Sequence, residues 1–451
     1  MVKAMKNKYH VYIAMFLILC LLPSAGLLFT GVSSSAENRE TAKAPVLIKE
    51  DGINPDFLND AGAWFEDHFA FRNEAVTGYA MLLGKIFGVS AQQGVIVGKD
   101  GWLFYKDSLE DFQGTGQMTD RQLFQVAHTL RMIRDYARKN GVRFAFVVAP
   151  NKNSLYGEYM PYYYQPFRNH AGNLERLKKY LQKEQVHMID LDEAFRSSSQ
   201  VLYHKRDSHW NNEGAALAAD RILTGLGKKH PSYADRTYEL RADFEGDLDR
   251  MLYPAAIEPE EERYYIPSPQ FTYCEEVESN FAPKINTRSA GSGSLVVYRD
   301  SFGNALLPFL AEAYEKAYFS RAIPYQMQDL SVHQADTLLI ERAERFLPQM
   351  AQEAPVMEAP IIENPSAGDI QSTPQTICPE EIAQGDYVKV TGKVPTDRLK
   401  DNSRILIRVN ANYIYEAFPI TCADGQEGFT MYLPTDNVKD TGNTYELFLM
   451  E

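Results

Sequence analysis

Asp207-Ser208-His209-Trp210 and Arg299-Asp300-Ser301-Phe302 bring an acid, a base and a nucleophile into one chain. A carboxylate two positions before an imidazole can turn back on a tight loop and accept a proton from Nδ1, which leaves Nε2 to face a hydroxyl. Ser301 supplies that hydroxyl. The apolar run Leu295-Val296-Val297-Tyr298 reads as a buried strand and Gly303-Asn304-Ala305-Leu306-Leu307 as the start of a helix, so Ser301 falls on a strand-to-helix turn. Backbone N–H groups at a helix start point outward without intrahelical acceptors, and the dipole there favours negative charge. Such a turn suits an alkoxide and a tetrahedral oxyanion. The expected chemistry is acyl transfer by a triad of Ser301, His209 and Asp207.

Helices and strands alternate around these residues. Thr119-Asp120 caps a helix whose apolar positions Leu123, Phe124, Ala127, Leu130, Ile133, Tyr136 and Ala137 recur at three and four, and Asn140-Gly141 ends it. Phe144 to Ala149 follows as a buried strand. A helix over Leu174 to Gln185 leads into a strand from Val186 to Asp190, and another helix spans Asn212 to Leu226. A helix from Asn304 to Ala313 and a strand from Thr337 to Ile340 continue the order. Helix followed by fully apolar strand is the unit of a parallel sheet, so the expected fold class is α/β, a doubly wound parallel sheet with helices on both faces.

Ligands of such sheets bind beyond the carboxyl ends of the strands. Ser301 follows one such end and Pro150-Asn151-Lys152 another. The Asn151 side-chain amide is either an oxyanion donor, beside the N–H groups of Phe302 and Gly303, or the centre of an Asx turn. Lys152 either meets substrate charge or is an ordinary exposed lysine. Arg299 holds a substrate carboxylate or a neighbouring acid, Asp300 stabilises its own turn, and Trp210 either walls the site or packs to fix the loop. His204 precedes His209 without zinc-ligand spacing, so neither a metal nor a cofactor is expected.

The surroundings match a known pattern. They are Val95 to Tyr105 with its Lys99-Asp100-Gly101 hairpin turn, Ala149-Pro150-Asn151-Lys152 running on to Tyr159-Met160-Pro161, and Glu245-Gly246-Asp247-Leu248 with Met251-Leu252. With the two motifs above, these blocks resemble the alginate O-acetyltransferase family of AlgJ and AlgX, SGNH-hydrolase-like proteins also called DHHW proteins, over roughly residues 50 to 350. The resemblance implies an SGNH-like α/β/α fold and extracytoplasmic transfer of acetyl groups onto a polysaccharide, with Asp207, His209 and Ser301 in the family's triad positions. Typical SGNH hydrolases place the serine first in the chain, an order that a geometrically defined triad does not require. The resemblance also implies a membrane-bound O-acyltransferase as acetyl donor, because cytosolic acetyl-CoA does not reach an outward-facing site. Two rival readings remain. Water competes with a sugar hydroxyl for the same acyl-enzyme, which would make a carbohydrate acetyl esterase. A noncatalytic glycan-binding scaffold is the other, and the complete triad set speaks against it.

Composition bounds these readings. A chain of 451 residues with 45% hydrophobic and 12% aromatic content exceeds one domain and fills a core. A net charge of −14 argues against nucleic acid and leaves a polyanionic glycan only a local basic patch. Lys3, Lys6 and Lys8 precede an uncharged run from Val11 to Val32, an export signal. Its length, close to the roughly 20 residues that span a bilayer, favours a retained membrane anchor with the lysines inside. Pro23-Ser24-Ala25-Gly26 and the small residues of Ser34-x-Ala36 favour cleavage and secretion instead.

The expected domains are a signal or anchor over 1–36, a catalytic domain over 37–348, a Pro- and Ser-rich linker over 349–377 and an accessory domain over 378–451. Helices across Phe57 to Phe87 place Trp64, Phe65, Phe69, Phe71, Tyr79, Leu82, Leu83 and Ile86 in the core by expectation. Alternating runs at 387–394, 405–409 and 429–433 predict a small β-sandwich at the C-terminus. AlgX-like relatives carry a carbohydrate-binding domain there, so a glycan-binding role rests on position; Tyr413 and Tyr415 stack on sugars or pack within strands. Cys378 and Cys422 either pair or remain two buried thiols.

Overall fold

The computed structural model of the protein describes residues 2–30, 41–50, 52–169, 171–363, 374–439 and 441–451. The chain opens with helix α1 (Val2–Thr30), followed by α2 (Phe57–His68) and α3 (Arg72–Leu82), which runs on as a wider helical turn over Leu83–Phe87. Among the described residues α1 is the one helix long and apolar enough to cross a membrane, over Tyr9–Leu27. The candidate cleavage residues Ser34 and Ala36 lie outside the described residues. Strands β1 (Val95–Val97) and β2 (Leu103–Tyr105) then form the expected hairpin. Asp100 and Gly101 at its tip have φ of 53° and 81°, the backbone that an Asp-Gly pair adopts most readily.

The central body is built around β3 (Arg143–Ala149), which follows α4 (Asp120–Lys139). α4 starts at a capping box of Thr119 and Gln122. α5 (Asn173–Lys183), β4 (Met188–Ile189) and α6 (Asn212–Gly225) follow, then a two-stranded ribbon of β5 (Thr237–Phe244) and β6 (Glu260–Ile266). The remaining elements of this body are β7 (Thr272–Tyr273), β8 (Lys284–Arg288), β9 (Ser294–Tyr298), α7 (Gly303–Ala313), β10 (Lys316–Ser320) and β11 (Thr337–Ala343).

The seven-stranded sheet has the order β4-β3-β11-β9-β10-β8-β7. Its first five strands are parallel, whereas β8 pairs antiparallel with β10 and β7 antiparallel with β8, so the sheet is mixed and not wholly parallel as expected. The short link from β8 to β9 explains this, since a parallel return needs a crossover of a dozen residues or more. Period-two alternation divides the core. Phe144, Phe146 and Val148 pack with residues of α4 and α5 on one face, while Ala145, Val147 and Ala149 pack with residues of α6 and α7 on the other. Ala149 pairs with Ala343 and Tyr298 with Ile340, so the segments after β3, β9 and β11 leave the sheet at the same end.

The C-terminal region comprises β12 (Gln375–Ile377), β13 (Glu380–Gln384), β14 (Tyr387–Lys393), β15 (Arg404–Val409), β16 (Ile414–Thr421), β17 (Glu427–Pro434) and β18 (Tyr445–Met450). These form one antiparallel sheet in the order β12-β18-β15-β16-β17-β14-β13. β16 pairs with β15 through residues 414–417 and with β17 through 418–421, so a single sheet curls around its own core where two separate sheets were expected. Tyr415 is buried in that core and Tyr413 is exposed. Cys378 and Cys422 are both free, and Cys378 is exposed, so neither the pair nor two buried thiols is found.

Two further expectations change. Of the linker, residues 364–373 lie outside the described residues, but Val356, Met357 and Ala359 are buried, and the N–H groups of Val356, Ala359 and Ile362 donate to Tyr325, Tyr432 and Ile414. That stretch is a seam between the two bodies. The helices over 57–87 exist, yet of the residues expected in a core Phe71, Tyr79, Leu82 and Ile86 are exposed and Trp64, Phe65, Phe69 and Leu83 only half-buried.

Candidate active site

Asp207, His209 and Ser301 meet at the carboxyl ends of the parallel strands. Ser301 follows β9, and its Oγ lies 2.8 Å from His209 Nε2. His209 Nδ1 is 2.8 Å from Asp207 Oδ1, which also accepts the His209 N–H at 2.8 Å. An ionised carboxylate only accepts, so Nδ1 carries the proton and Nε2 is the acceptor for the serine hydroxyl. His209 and Ser301 are half-buried, while Asp207 is buried behind them.

The acid–base loop is fastened from several sides. Lys152 is neither exposed nor in reach of substrate charge: it is buried, and its Nζ donates to the carbonyls of Leu103, Lys205 and Asp207 at 2.7, 2.7 and 2.8 Å. All three ammonium protons are thereby used to tie β2 to the loop. Glu260 accepts the N–H groups of Lys205 and Arg206, and Arg206 pairs with Asp249. Trp210 is buried, donates its Nε1–H to Phe302 O at 3.1 Å and packs edge-on against the Phe302 ring, so it locks the loops of His209 and Ser301 together. His204 has a structural partner as well, with Nε2 2.9 Å from Glu262 and its ring stacked on Phe244.

The nucleophile turn differs from expectation in its donors. Asp300 Oδ1 accepts the Phe302 N–H at 2.9 Å and Oδ2 accepts that of Ala343 at 2.6 Å, so Asp300 does brace the turn and the Phe302 N–H is occupied. The Gly303 N–H opens α7, where first-turn donors lack intrahelical acceptors. A Cβ at Gly303 would lie 2.6 Å from the Arg299 side chain, which is why glycine stands there. Among the described residues Arg299 makes no hydrogen bond to a carboxylate, although Glu341 and Asp300 lie near enough to favour its charge. It is buried, donates to Asn304 Oδ1 and to the carbonyls of Asn280 and Ala282, and burial with repulsion from Arg321 lowers its pKa to about 10. Asn151 is buried, its N–H donates to Glu344 at 2.7 Å, and its side-chain amide lies beside Asp111, whose charged form it favours. It forms no Asx turn through that side chain.

Sequence reasoning missed a second acid. Asp247 accepts the N–H and hydroxyl of Ser208 at 2.7 and 2.6 Å, donates its own N–H to Asp207 Oδ2 at 2.7 Å, and brings Oδ2 within 3.6 Å of His209 Nδ1. A Cβ at Gly246 would collide with the Arg206 carbonyl, so the close approach depends on glycine. Burial and the charge of Asp207 push Asp247 up to about 6. Burial also acts against the Asp207 charge, but the His209 cation and its hydrogen bonds outweigh it and hold Asp207 well below the usual carboxylate range. For His209 burial again opposes charge, and Asp207 wins, so the imidazole lies above its ordinary value. Lys152 moves the other way: burial lowers it to about 7 despite Asp207, Glu260 and Asp247 nearby. The residue types of Asp207, His209 and Asp247 suit a cation, but each of their carboxylate oxygens already accepts a hydrogen bond within the loop.

Arg345 was missed too. It follows β11, and its guanidinium lies 5.2 Å from the Phe302 ring centre, 5.4 Å from Tyr105 and 4.8 Å from Phe346. Phe302 in turn packs 4.9 Å from the His209 ring, and the positive charge of Arg345 opposes protonation of His209. Its place after a strand end was the available signal. Asp247 stood in the Glu245-to-Leu248 block but offered no local reason to approach His209.

Residues 95–277 match the family model described as the SGNH hydrolase-like domain of acetyltransferase AlgX. A probable alginate O-acetylase AlgJ of Pseudomonas syringae pv. tomato is 25% identical over 252 residues, covering 54% of this chain and 60% of that protein. The chain thus spans less than two thirds of the length of that relative. A Pseudomonas fluorescens protein of the same description is 25% identical over 227 residues, 49% of this chain and 53% of that one. Among solved structures, Bacillus cereus PatB1 aligns with 56% of this chain and 96% of its own at 18% identity and a TM-score of 0.45. The O-acetyltransferase domain of Pseudomonas putida AlgJ aligns with 56% of this chain and 92% of its own at 17% identity and a TM-score of 0.39. Over residues 95–277 the chain is thus similar to the SGNH hydrolase-like domain of the AlgX and AlgJ acetyltransferases.

Proposed function

We propose that the chain is an extracytoplasmic O-acetyltransferase that moves acetyl groups onto a polysaccharide through an acetyl-Ser301 intermediate. The observation that carries this is one imidazole hydrogen-bonded at both ends, to Ser301 Oγ and to Asp207, each at 2.8 Å. In the first half-reaction His209 Nε2 takes the Ser301 proton as Oγ attacks the acetyl carbonyl. The bond to the donor's leaving group breaks, and that group receives the proton from His209. In the second, a sugar hydroxyl gives its proton to His209 and attacks the acetyl carbon, and Oγ leaves and is reprotonated. Asp207 stabilises the imidazolium in both. The Gly303 N–H and the Asn151 amide serve the oxyanion, a role in which one donor contributes about 10²–10³-fold. The acceptor is a polysaccharide because the AlgJ relatives are described as alginate O-acetylases. The donor is a membrane-bound O-acyltransferase, and the reaction needs no metal or cofactor.

In this reading residues 1–36 anchor the chain with the remainder outside, 37–348 form the catalytic unit on a doubly wound SGNH-like sheet, and 378–451 form an accessory unit for glycan. An esterase is the second reading, favoured by the partial exposure of His209 and Ser301 to water. Incubating the full-length protein with an activated acetyl ester and candidate glycans separates the outcomes. Acetylated glycan supports transfer, free acetate alone supports the esterase, and neither product, with Ser301 unmodified by mass analysis, refutes both.

A further inference from the structure

The outer face of α3 is apolar where a soluble domain would be polar. Phe71, Ala75, Tyr79, Leu82 and Ile86 recur at four, four, three and four residues, the period of one helix face. They are exposed, Phe71 at 44% and Ile86 at 64%, and Phe87 and Val89 extend the same surface. The exposed residues of α3 are Glu74, Ala75, Gly78, Tyr79 and Leu82, so Glu74 is the one charge among them. The opposite face is satisfied by the protein, through buried Arg72, Thr77 and Ala80. An apolar stripe of this length on a water-facing helix calls for something to cover it.

The stripe begins at the apolar span. Ala70 N–H donates to Pro23 O of α1 at 3.2 Å, and Gly26 packs so closely on Ala70 and Phe71 that a Cβ there would collide. Tyr9–Leu27 is 19 residues long, about 28 Å at 1.5 Å per residue, close to the thickness of a bilayer's hydrocarbon core. Pro23 lies four residues before its end, hence about 6 Å inside it. Phe71 is therefore held at the depth to which interfacial helices bury their apolar faces, about 5–10 Å below the headgroup boundary.

We propose that α3 and the turn after it lie flat in the membrane interface beside α1, with Phe71, Tyr79, Leu82 and Ile86 in lipid. This rests on α1 being a retained anchor and is independent of which acyl acceptor the site uses. The lipid surface is thus a second attachment that sets the orientation of the catalytic body, since a single span leaves rotation free.

The test replaces Tyr79 by the photoreactive benzoylphenylalanine in the full-length chain, irradiates it in native membranes and weighs the adducts. Tyr162, 78% exposed on the catalytic body, carries the same probe as a reference. Lipid adducts several-fold more abundant at position 79 than at 162 are expected. Adducts to protein, whether a second copy or another chain, or no excess of lipid over position 162, would overturn the proposal. Recovery of the chain from the soluble fraction without residues 2–30 would overturn it as well, while glycan acetylation by the same preparation reports on the catalytic reading separately.

Discussion

His128 and His209 are both gripped by carboxylates, and the contrast between their surroundings separates a structural histidine from a chemical one. His128, on α4, is buried with Nδ1 3.2 Å from Glu184 and Nε2 2.9 Å from Glu416 of β16. Arg131 reaches both acids at 2.9 and 3.0 Å, and Arg404 also binds Glu416. Burial pushes the Glu416 carboxyl up, but His128 and Arg404 pull it well below the usual range. Every nitrogen of that imidazole faces an anion, and cations balance the anions, so the cluster clamps the two bodies of the protein and has no neutral group to exchange a proton with. At His209 only Nδ1 faces acids. Nε2 faces a neutral hydroxyl within reach of solvent, and one nearby cation, Arg345, opposes the protonation that Asp207 favours. The same residue type becomes a base where one nitrogen is left to a titratable partner.

Substitution should separate the two sites most sharply. Ser301→Ala and His209→Ala are each expected to lower acetyl transfer from an activated ester by at least about 10³-fold, with thermal unfolding close to wild type. His128→Ala should do the reverse, keeping the rate per folded molecule and losing about 3 kcal/mol in denaturant melts, because Glu416 and Glu184 are left with less compensation. A His209→Ala protein within tenfold of wild type would abolish the distinction.

A second comparison is by pH. A carboxylate with a depressed pKa contributes stability that is present above its unfolded value, about 4.3 for Glu, and lost as pH falls through its lower folded value. Glu416→Gln should therefore be less stable than wild type at pH 7, and the gap should narrow in melts run progressively below pH 4. At the catalytic site the base must be neutral, so kcat/KM rises through the His209 pKa, which lies above the ordinary value. Asp247→Asn removes an anion that favours protonation and should move this acid limb to lower pH. Arg345→Gln removes a cation that opposes it and should move the limb higher, each by up to about one unit. Limbs that shift in the same direction would contradict the electrostatic account.

The smallest effect is expected at Trp210→Phe, which keeps the aromatic contact with Phe302 and loses one hydrogen bond. A stability loss of about 1 kcal/mol and a few-fold slower transfer are expected from calorimetry and initial rates.

Much of the site was legible because its parts are local. Asp207 reaches His209 across two residues, and Ser301 stands between an apolar strand and a helix start, so spacing and periodicity were enough to nominate them. Asp300 was legible as a turn brace for the same reason, since it caps a residue two positions on. Lys152 was not, because its three acceptors come from segments some 50 residues away on either side. Nor was the occupation of the Phe302 N–H, the binding of Arg299 to carbonyls and the Asn304 amide, or the approach of Arg345.

What the chain alone determined was the set of elements, because hydrophobic period, caps and Asp-Gly turns act within a few residues of where they are written. Helices over 57–87 formed as their spacing required. Tertiary structure decided which faces those elements hide. Phe71, Tyr79 and Ile86 have the composition of a core and stand outside one, and Asp247 looks like a loop acid and lies against His209. Burial and charge pairing depend on what arrives from elsewhere in the chain, and that information is not present in any short stretch of it.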